Sequence, residues 1–204
     1  IGLAGGIALA SALEVNPVLT SLSLADNNLT GREQYIRPTE IQGKSMVVGA
    51  KVIYRGRGRT ILRIHRGYNT DEIRRLELEF DLSGIEAIAA ALAGSSVALK
   101  KLLLGENSIG DQGAIALSQS LQNNTTLEEL ALNSNGICVE GVKALASALG
   151  TSTVLASLDI SSNSIGSPDE SGIQAIAVAL AGSSVITACT LIKNDLDIES
   201  AKML

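Results

Sequence analysis

Few residues of this chain are suited to covalent chemistry, and their spacing withholds it. His65 is the single histidine among 204 residues, so neither a His-based metal pair nor a Ser-His-Asp triad can be assembled. Cys138 and Cys189 are too few for a disulfide framework or a cysteine zinc site, and they read as reduced thiols in a reducing compartment. The stretch PTEIQGKS, from Pro38 to Ser45, ends like the phosphate-binding pattern GxxxxGKS. Proline stands where that loop needs the backbone freedom of glycine, and no apolar strand precedes it, so nucleotide binding is not expected. The acidic pairs Glu128-Glu129, Asp169-Glu170 and Asp195/Asp197 occur singly, without convergent ligands, and read as solvated surface. No cofactor, no metal and no enzymatic activity are expected.

The remaining chemistry is recognition, and it is concentrated. All nine arginines, the histidine and all four aromatic residues (Tyr35, Tyr54, Tyr68 and Phe80) fall in residues 31–82. That segment holds eleven Lys plus Arg against seven Asp plus Glu, whereas the rest holds five against fourteen, within an overall net charge of −5. Tyr54, Arg55, Arg57, Arg59, Arg63, Arg66 and Tyr68 are therefore candidates for holding an acidic or phosphorylated partner, since guanidinium forks match carboxylate and phosphate geometry. The alternative is a solvated face of a small module, partly paired with the acidic remainder. The patch is short and the whole chain is acidic, which argues against nucleic acid.

The elements that position these residues follow from a recurring spacing. Leu127, Leu130, Leu132, Asn135 and Ile137 repeat as Leu99, Leu102, Leu104, Asn107, Ile109 and as Leu155, Leu158, Ile160, Asn163, Ile165. They repeat again as Ile186, Cys189, Leu191, Asn194, Leu196 and, near the start, as Leu19, Leu22, Leu24, Asn27, Leu29. Cys189 thus takes a leucine position and is expected to be inert, as is Cys138. A short strand sends alternate leucines inward, and a sharp turn follows. Asparagine carries a donor and acceptors, so Asn27, Asn107, Asn135, Asn163 and Asn194 are expected to form a structural ladder that satisfies turn amides water cannot reach. Between the copies lie helical stripes: Ile85, Ile88, Ala89, Leu92; Val142, Leu145, Ala146, Leu149; and Ile173, Ile176, Ala177, Leu180. Ser83 with Glu86, and Ser171 with Gln174, have capping-box spacing.

The pattern LxxLxLxxNxL resembles the leucine-rich repeat, and the long period with GxxALAxAL between copies resembles its ribonuclease-inhibitor-like subclass, shared with NOD-like receptors. The resemblance implies an α/β solenoid: an arc of five repeats, a parallel sheet on the concave side and helices on the convex side. The expected organisation is a first repeat at 1–30, a β-rich insert at 31–82 and four further repeats at 83–204. Within the insert, alternation at Val48, Val52, Tyr54, then Ile61, Leu62, Ile64, then Ile73, Leu76, Leu78 predicts three or four strands, with turns at Gly56-Arg57-Gly58 and Gly67-Tyr68-Asn69. The VGxKVxY stretch is similar to the opening strand of small SH3-like barrels.

The segment IGLAGGIALASAL reads as the first repeat's helix rather than a signal segment. The uncharged run from Ser171 to Ile192 is broken by Gln174 and glycines, so no membrane span is expected. Raw-looking ends predict that a partner, or more chain, covers them. On the concave face Lys100, Lys101, Glu128, Glu129 and Asp159 are the candidate contacts, on a surface without aromatic or arginine anchors. A non-enzymatic protein-protein interaction scaffold in an intracellular, reducing compartment, the cytoplasm foremost, is the expected function. A structural subunit of a large assembly is the first alternative. The second is a GTPase activator, because the repeats are also similar to those of the Ran GTPase-activating protein. They carry no arginine, so no functional residue transfers from that family.

Overall fold

A computed structural model describes residues 2–30, 41–42, 51–54, 57–66, 73–78, 81–94, 97–166, 169–196 and 202. It comprises two compact units, residues 1–30 with 82–204 and residues 31–81.

In the first unit helices and short strands alternate: α1 (Leu3–Glu14), β1 (Ser21–Ser23), α2 (Ser83–Leu92), β6 (Lys101–Leu103), α3 (Gly110–Leu121), β7 (Glu129–Ala131), α4 (Val139–Thr151), β8 (Ser157–Asp159), α5 (Ser171–Gly182) and β9 (Ala188–Thr190). The strands form one parallel sheet in the order β1-β6-β7-β8-β9. Ser21 pairs with Lys101, so the first and second rungs are neighbours although the second unit interrupts the chain between them. Parallel strands lie about 4.8 Å apart, whereas packed helices need about 8–10 Å, so a stack of such units bends with the sheet on its inner side.

The ladder leucines build the core. Leu99, Leu102, Leu104 and Ile109 are buried, as are their counterparts in the next two repeats. The helices close the other side with the stripes expected: Ile85, Ile88 and Leu92 of α2 and Val142, Leu145 and Leu149 of α4 are at most 2% exposed. In α5, Ile173 and Ile176 are buried, but Ala177 and Leu180 are only half-buried, because that helix has a neighbour on one side alone among the described residues. Glycine opens these helices where backbone crosses close by. A Cβ at Gly172 would sit 2.7 Å from the Ile165 carbonyl oxygen, so only glycine lets α5 approach the preceding loop.

The asparagine ladder is present and has a direction. The Asn135 side chain accepts from the N–H groups of Asn107 (2.9 Å) and Ile109 (3.3 Å), one rung back. Asn163 does the same for Asn135 and Ile137, both at 3.0 Å, and Asn194 accepts from the Asn163 N–H at 2.9 Å. Each side-chain amide also donates to carbonyls of the preceding rung and of its own turn, as Asn163 does to Leu132, Ile160 and Ser161. The turn itself is tight: the residue before each ladder asparagine, namely Asp26, Glu106, Ser134, Ser162 and Lys193, has a φ between 54° and 60°. Such left-handed conformations cost a side-chain-bearing residue about 1 kcal/mol or more, and the ladder bonds hold them in place.

A second polar row stands where the chain enters each strand. Asn16 accepts from the N–H groups of Val18 and Leu19 at 3.0 and 2.9 Å, and Asn124 from those of Thr126 and Leu127 at 3.0 and 2.7 Å. Ser152 and Ser183 take the same position with hydroxyl acceptors.

Both helices start one residue earlier than the capping-box spacing implies. Ser83 and Ser171 are the first helical residues rather than the caps, and the Glu86 and Gln174 N–H groups bond back to the Leu82 and Glu170 carbonyls. At α5 the capping oxygen belongs to Asp169, which accepts from both the Ser171 N–H and its hydroxyl. These bonds hold the exposed Asp169 carboxyl below its usual range, the Ser171 hydroxyl contributing most.

The second unit is a four-stranded antiparallel sheet in the order β2 (Ile41–Gln42), β3 (Lys51–Tyr54), β4 (Arg57–Arg66) and β5 (Ile73–Leu78). Of the turn expected at Gly56-Arg57-Gly58, Gly56 lies outside the described residues and the other two are not a turn. Arg57 and Gly58 already belong to β4, opposite Tyr54 and Ile53. Val48 and the Gly67-Tyr68-Asn69 turn lie outside the described residues.

Candidate functional site

The sheet face of the first unit exposes the residues between the ladder leucines. The structure brings the five predicted charges of this face onto three consecutive strands and pairs most of them with one another. Lys100 Nζ lies 2.7 Å from Glu128 Oε1, and Lys101 Nζ lies 2.7 Å from Glu129 Oε1. Both pairs join adjacent rungs at the same repeat position and remain roughly half exposed. Asp159 turns its carboxylate to its own chain, accepting from the Ser161 N–H at 2.9 Å. Around them stand Ser21, Ser23, Leu103, Ala131, Ser157, Ala188 and Thr190. Exposed ion pairs of this kind contribute under about 1 kcal/mol each, and here they cancel charge that a partner would otherwise read.

The thiols are poorly poised for chemistry. Cys138 caps α4 with its backbone: its N–H donates to Asp111 Oδ1 at 2.7 Å. Partial burial, and then the Asp111 carboxylate, push its thiol above the usual range. Cys189 faces the core from β9, and burial with a contribution from Asp159 pushes it up to about 11. Reactive cysteines need cations beside the sulfur or a helix N-terminus aimed at it; Cys138 stands at the start of α4, but its Sγ faces the Gly136 carbonyl oxygen at 3.8 Å and the Asp111 carboxylate opposes the thiolate. Among the described residues, no three His, Cys, Asp or Glu side chains cluster to hold a metal.

Asp111 is a residue that repeat-based reading overlooks. From the first turn of α3 its Oδ1 accepts the N–H groups of Cys138 (2.7 Å) and Gly141 (3.0 Å), so one repeat's acid caps the next repeat's helix. Two residues before the matching helix glycines stand Leu82, Val139 and Glu170, so no fixed residue type marks this position, and among the described residues Asp111 is where the cap is seen.

In the second unit the strand register redistributes the predicted basic patch. Arg57 lies opposite Tyr54 and Arg59 opposite Val52. A bulge at Leu62 then shifts the pairing from Ile61–Leu78 to Arg63–Glu77, so the register of Arg57 and Arg59 does not continue through Arg63. His65 stands opposite Arg75, and Arg66 opposite Ile73. Arg55 and Tyr68 lie outside the described residues.

Among the described residues no helix is long and apolar enough to cross a membrane. A leucine-rich-repeat family model matches residues 15–32, 98–118 and 123–146. Among solved structures, the chain is similar to actin-binding site 2 of leiomodin-1, at 21% identity and a TM-score of 0.50. That match covers 58% of this chain and 66% of the leiomodin chain, just under two thirds of its length, and it is a likeness of fold. No curated protein matches the sequence. The matched segments include the strand-and-asparagine turns of three repeats, and the stacked rungs extend the same geometry over five: the chain is built of leucine-rich repeats folded as an α/β solenoid.

Proposed function

We propose that this chain is a non-enzymatic scaffold for protein partners, and that the β-module of residues 31–81 is its principal contact element. One observation carries this reading: four of the five charges on the sheet face of the repeats are spent on one another, at 2.7 Å in both Lys–Glu pairs, while all the arginines reside in the module. Arginine and tyrosine dominate the energetics of protein interfaces, and the repeat face offers neither. Arg57 and Arg59, which the register of β3 and β4 sets opposite Tyr54 and Val52, suit an acidic or phosphorylated segment of a partner protein. Leiomodin-1 actin-binding site 2 shares the fold, but no partner transfers from it, and fold does not fix function.

Three finer assignments belong to the same proposal. The rung interval of 28 residues, lengthening to 31 at the last repeat, with a full helix in each, supports the ribonuclease-inhibitor-like subclass. The four-stranded meander supports an SH3-like module. Two free thiols, too few for a disulfide framework, support a reducing, intracellular setting.

Co-purification from the native source tests the reading. The full chain and a variant carrying Arg57→Glu and Arg59→Glu are used in parallel as bait. A protein retained by the first and lost from the second is the expected result; identical captured sets would remove the module from the contact. If a captured GTPase hydrolysed GTP faster with the chain, and lost this on Arg→Ala in the module, the activator reading would replace the scaffold.

A further inference from the structure

Asn135-Gly136 is the only asparagine-glycine pair in the chain, and asparagine before glycine is the pair most prone to lose its side-chain amide. With no Cβ to shield it, the glycine nitrogen attacks the asparagine Cγ, a five-membered succinimide closes and ammonia leaves. Water then opens the ring at one carbonyl or the other and leaves aspartate or isoaspartate. The other ladder asparagines precede Asn28, Ser108, Ser164 and Asp195, whose side chains hinder that attack. The pair sits in an interior rung, since β7 is paired with β6 on one side and β8 on the other.

The fold does not require glycine at this position. Gly136 has a φ of 67°, yet Ser108 and Asp195 hold a φ of 55° at the same place in their rungs, and a Cβ at Gly136 would meet nothing within 4 Å. What the fold does is hold the amide away from its attacker. Asn135 is buried, its oxygen accepts from the Asn107 and Ile109 N–H groups, and its Nδ2 donates to the Leu104 and Asn133 carbonyls. Turning Cγ onto the Gly136 nitrogen breaks these bonds, so the attack needs the rung to open. The products do not fit back. In aspartate a carboxylate oxygen replaces Nδ2 and faces the Leu104 and Asn133 carbonyl oxygens, acceptor against acceptor in a site closed to water. In isoaspartate the main chain runs through the former side chain and gains one atom, which displaces Ile137 from its fully buried ladder position.

We propose that Asn135 is a self-modification site gated by the ladder: deamidation is shut in the folded repeat unit, proceeds whenever the third rung opens, and then bars that rung from closing again. The chain thereby keeps an irreversible record of its own opening, with water as the only co-reactant. The step draws on the open population, so whatever loosens the rung speeds it and whatever clamps the neighbouring rungs slows it. It is independent of the module's contact role, because none of its residues lies in 31–81.

Peptide mass spectrometry on the full chain at neutral pH, folded and in concentrated urea, follows the site, with isoaspartate read by enzymatic methylation of its carboxylate. In urea Asn135 is expected to convert at least tenfold faster than Asn107 and Asn163, the ladder asparagines that precede serine. In the folded chain its conversion is expected to fall at least a hundredfold, and to rise with urea below the unfolding midpoint as the open fraction rises. Gly136→Ser makes the same Asn-Ser pair and is expected to bring the rate in urea down to that of Asn163, a comparison that does not require the variant to fold. Chains aged in urea and returned to buffer are expected to divide. The unmodified fraction regains its far-UV circular dichroism and the exchange protection of the Asn107 and Ile109 amides, and the modified fraction does not. Asn135→Asp presents the aspartate product directly and is expected to show the same loss. Asn135 converting in urea no faster than Asn163, or as fast folded as unfolded, would overturn the proposal. So would a modified fraction, or an Asn135→Asp chain, that refolds with wild-type protection.

Discussion

Removing one internal ladder asparagine tests the physical basis of the stack. In Asn135→Ala, four hydrogen bonds are lost at once: two accepted from Asn107 and Ile109, and two donated to Leu104 and Asn133 at 2.9 and 3.2 Å. The side chain lies in a residue only 1% exposed, so its backbone partners have little access to bulk water. A buried polar group left unpaired costs about 1–3 kcal/mol, and a water entering the new space recovers part of this, which leaves a loss of about 4 kcal/mol. Asn27, half-buried on the first rung, donates to the Leu24 and Ala25 carbonyls within its own turn, and its greater access to water is expected to hold the cost of Asn27→Ala to roughly 1–2 kcal/mol. Exposed Asn123→Ala should change stability by less than about 0.5 kcal/mol. Urea unfolding followed by far-UV circular dichroism measures all three. Hydrogen exchange should show the Asn107 and Ile109 amides losing most protection in Asn135→Ala. A cost under about 1 kcal/mol for Asn135→Ala, or one equal to that of Asn27→Ala, would refute the claim that buried side-chain amides couple the rungs.

Other substitutions probe separate contacts. Gly172→Ala forces a Cβ to within 2.7 Å of the Ile165 carbonyl and is expected to cost about 2–3 kcal/mol in urea unfolding, whereas Gly150→Ala, in open space near the end of α4, should be neutral or stabilise by up to about 1 kcal/mol. Asp111→Ala removes the cap on α4 and should cost about 1–2 kcal/mol, with Asp111→Asn recovering roughly half through its remaining acceptor. Cys189, with its thiol pushed up to about 11, should be alkylated at pH 8 roughly two orders of magnitude more slowly than an ordinary thiol, and at the ordinary rate once unfolded. Because its folded pKa exceeds the unfolded one, the stability linked to this thiol is present below the usual thiol range and is lost as pH rises toward about 11, so Cys189→Ser should flatten the alkaline side of a stability–pH profile.

The repeat unit was legible because its information is local and reiterated. Ladder leucines, the asparagine and the helix stripe each follow from side-chain spacing along one stretch of chain, and five copies make that spacing unmistakable. The entry-turn row of Asn16, Asn124, Ser152 and Ser183 was equally periodic, three residues ahead of the first ladder position, but a polar residue in a loop gives no apolar signal to search for. The helix starts were misplaced by one residue because serine suits both the cap and the first turn. At α5 the carboxylate of Asp169, two residues upstream, supplies the capping oxygen.

By itself, then, the sequence determined the fold class, the order of rungs, the core, the structural asparagines and the confinement of every arginine to one inserted segment, since all of these depend on residue type and spacing. Tertiary structure alone decided which contacts are made once. It set Lys100 and Lys101 against Glu128 and Glu129, and it brought Asp111 to the helix of the following repeat. It also inserted the bulge that shifts the strand register between Arg59 and Arg63. The physical reason is that periodicity fixes which column a residue occupies, whereas a salt bridge, a borrowed cap or a one-residue slip depends on ångström-scale distances between segments that share no local pattern.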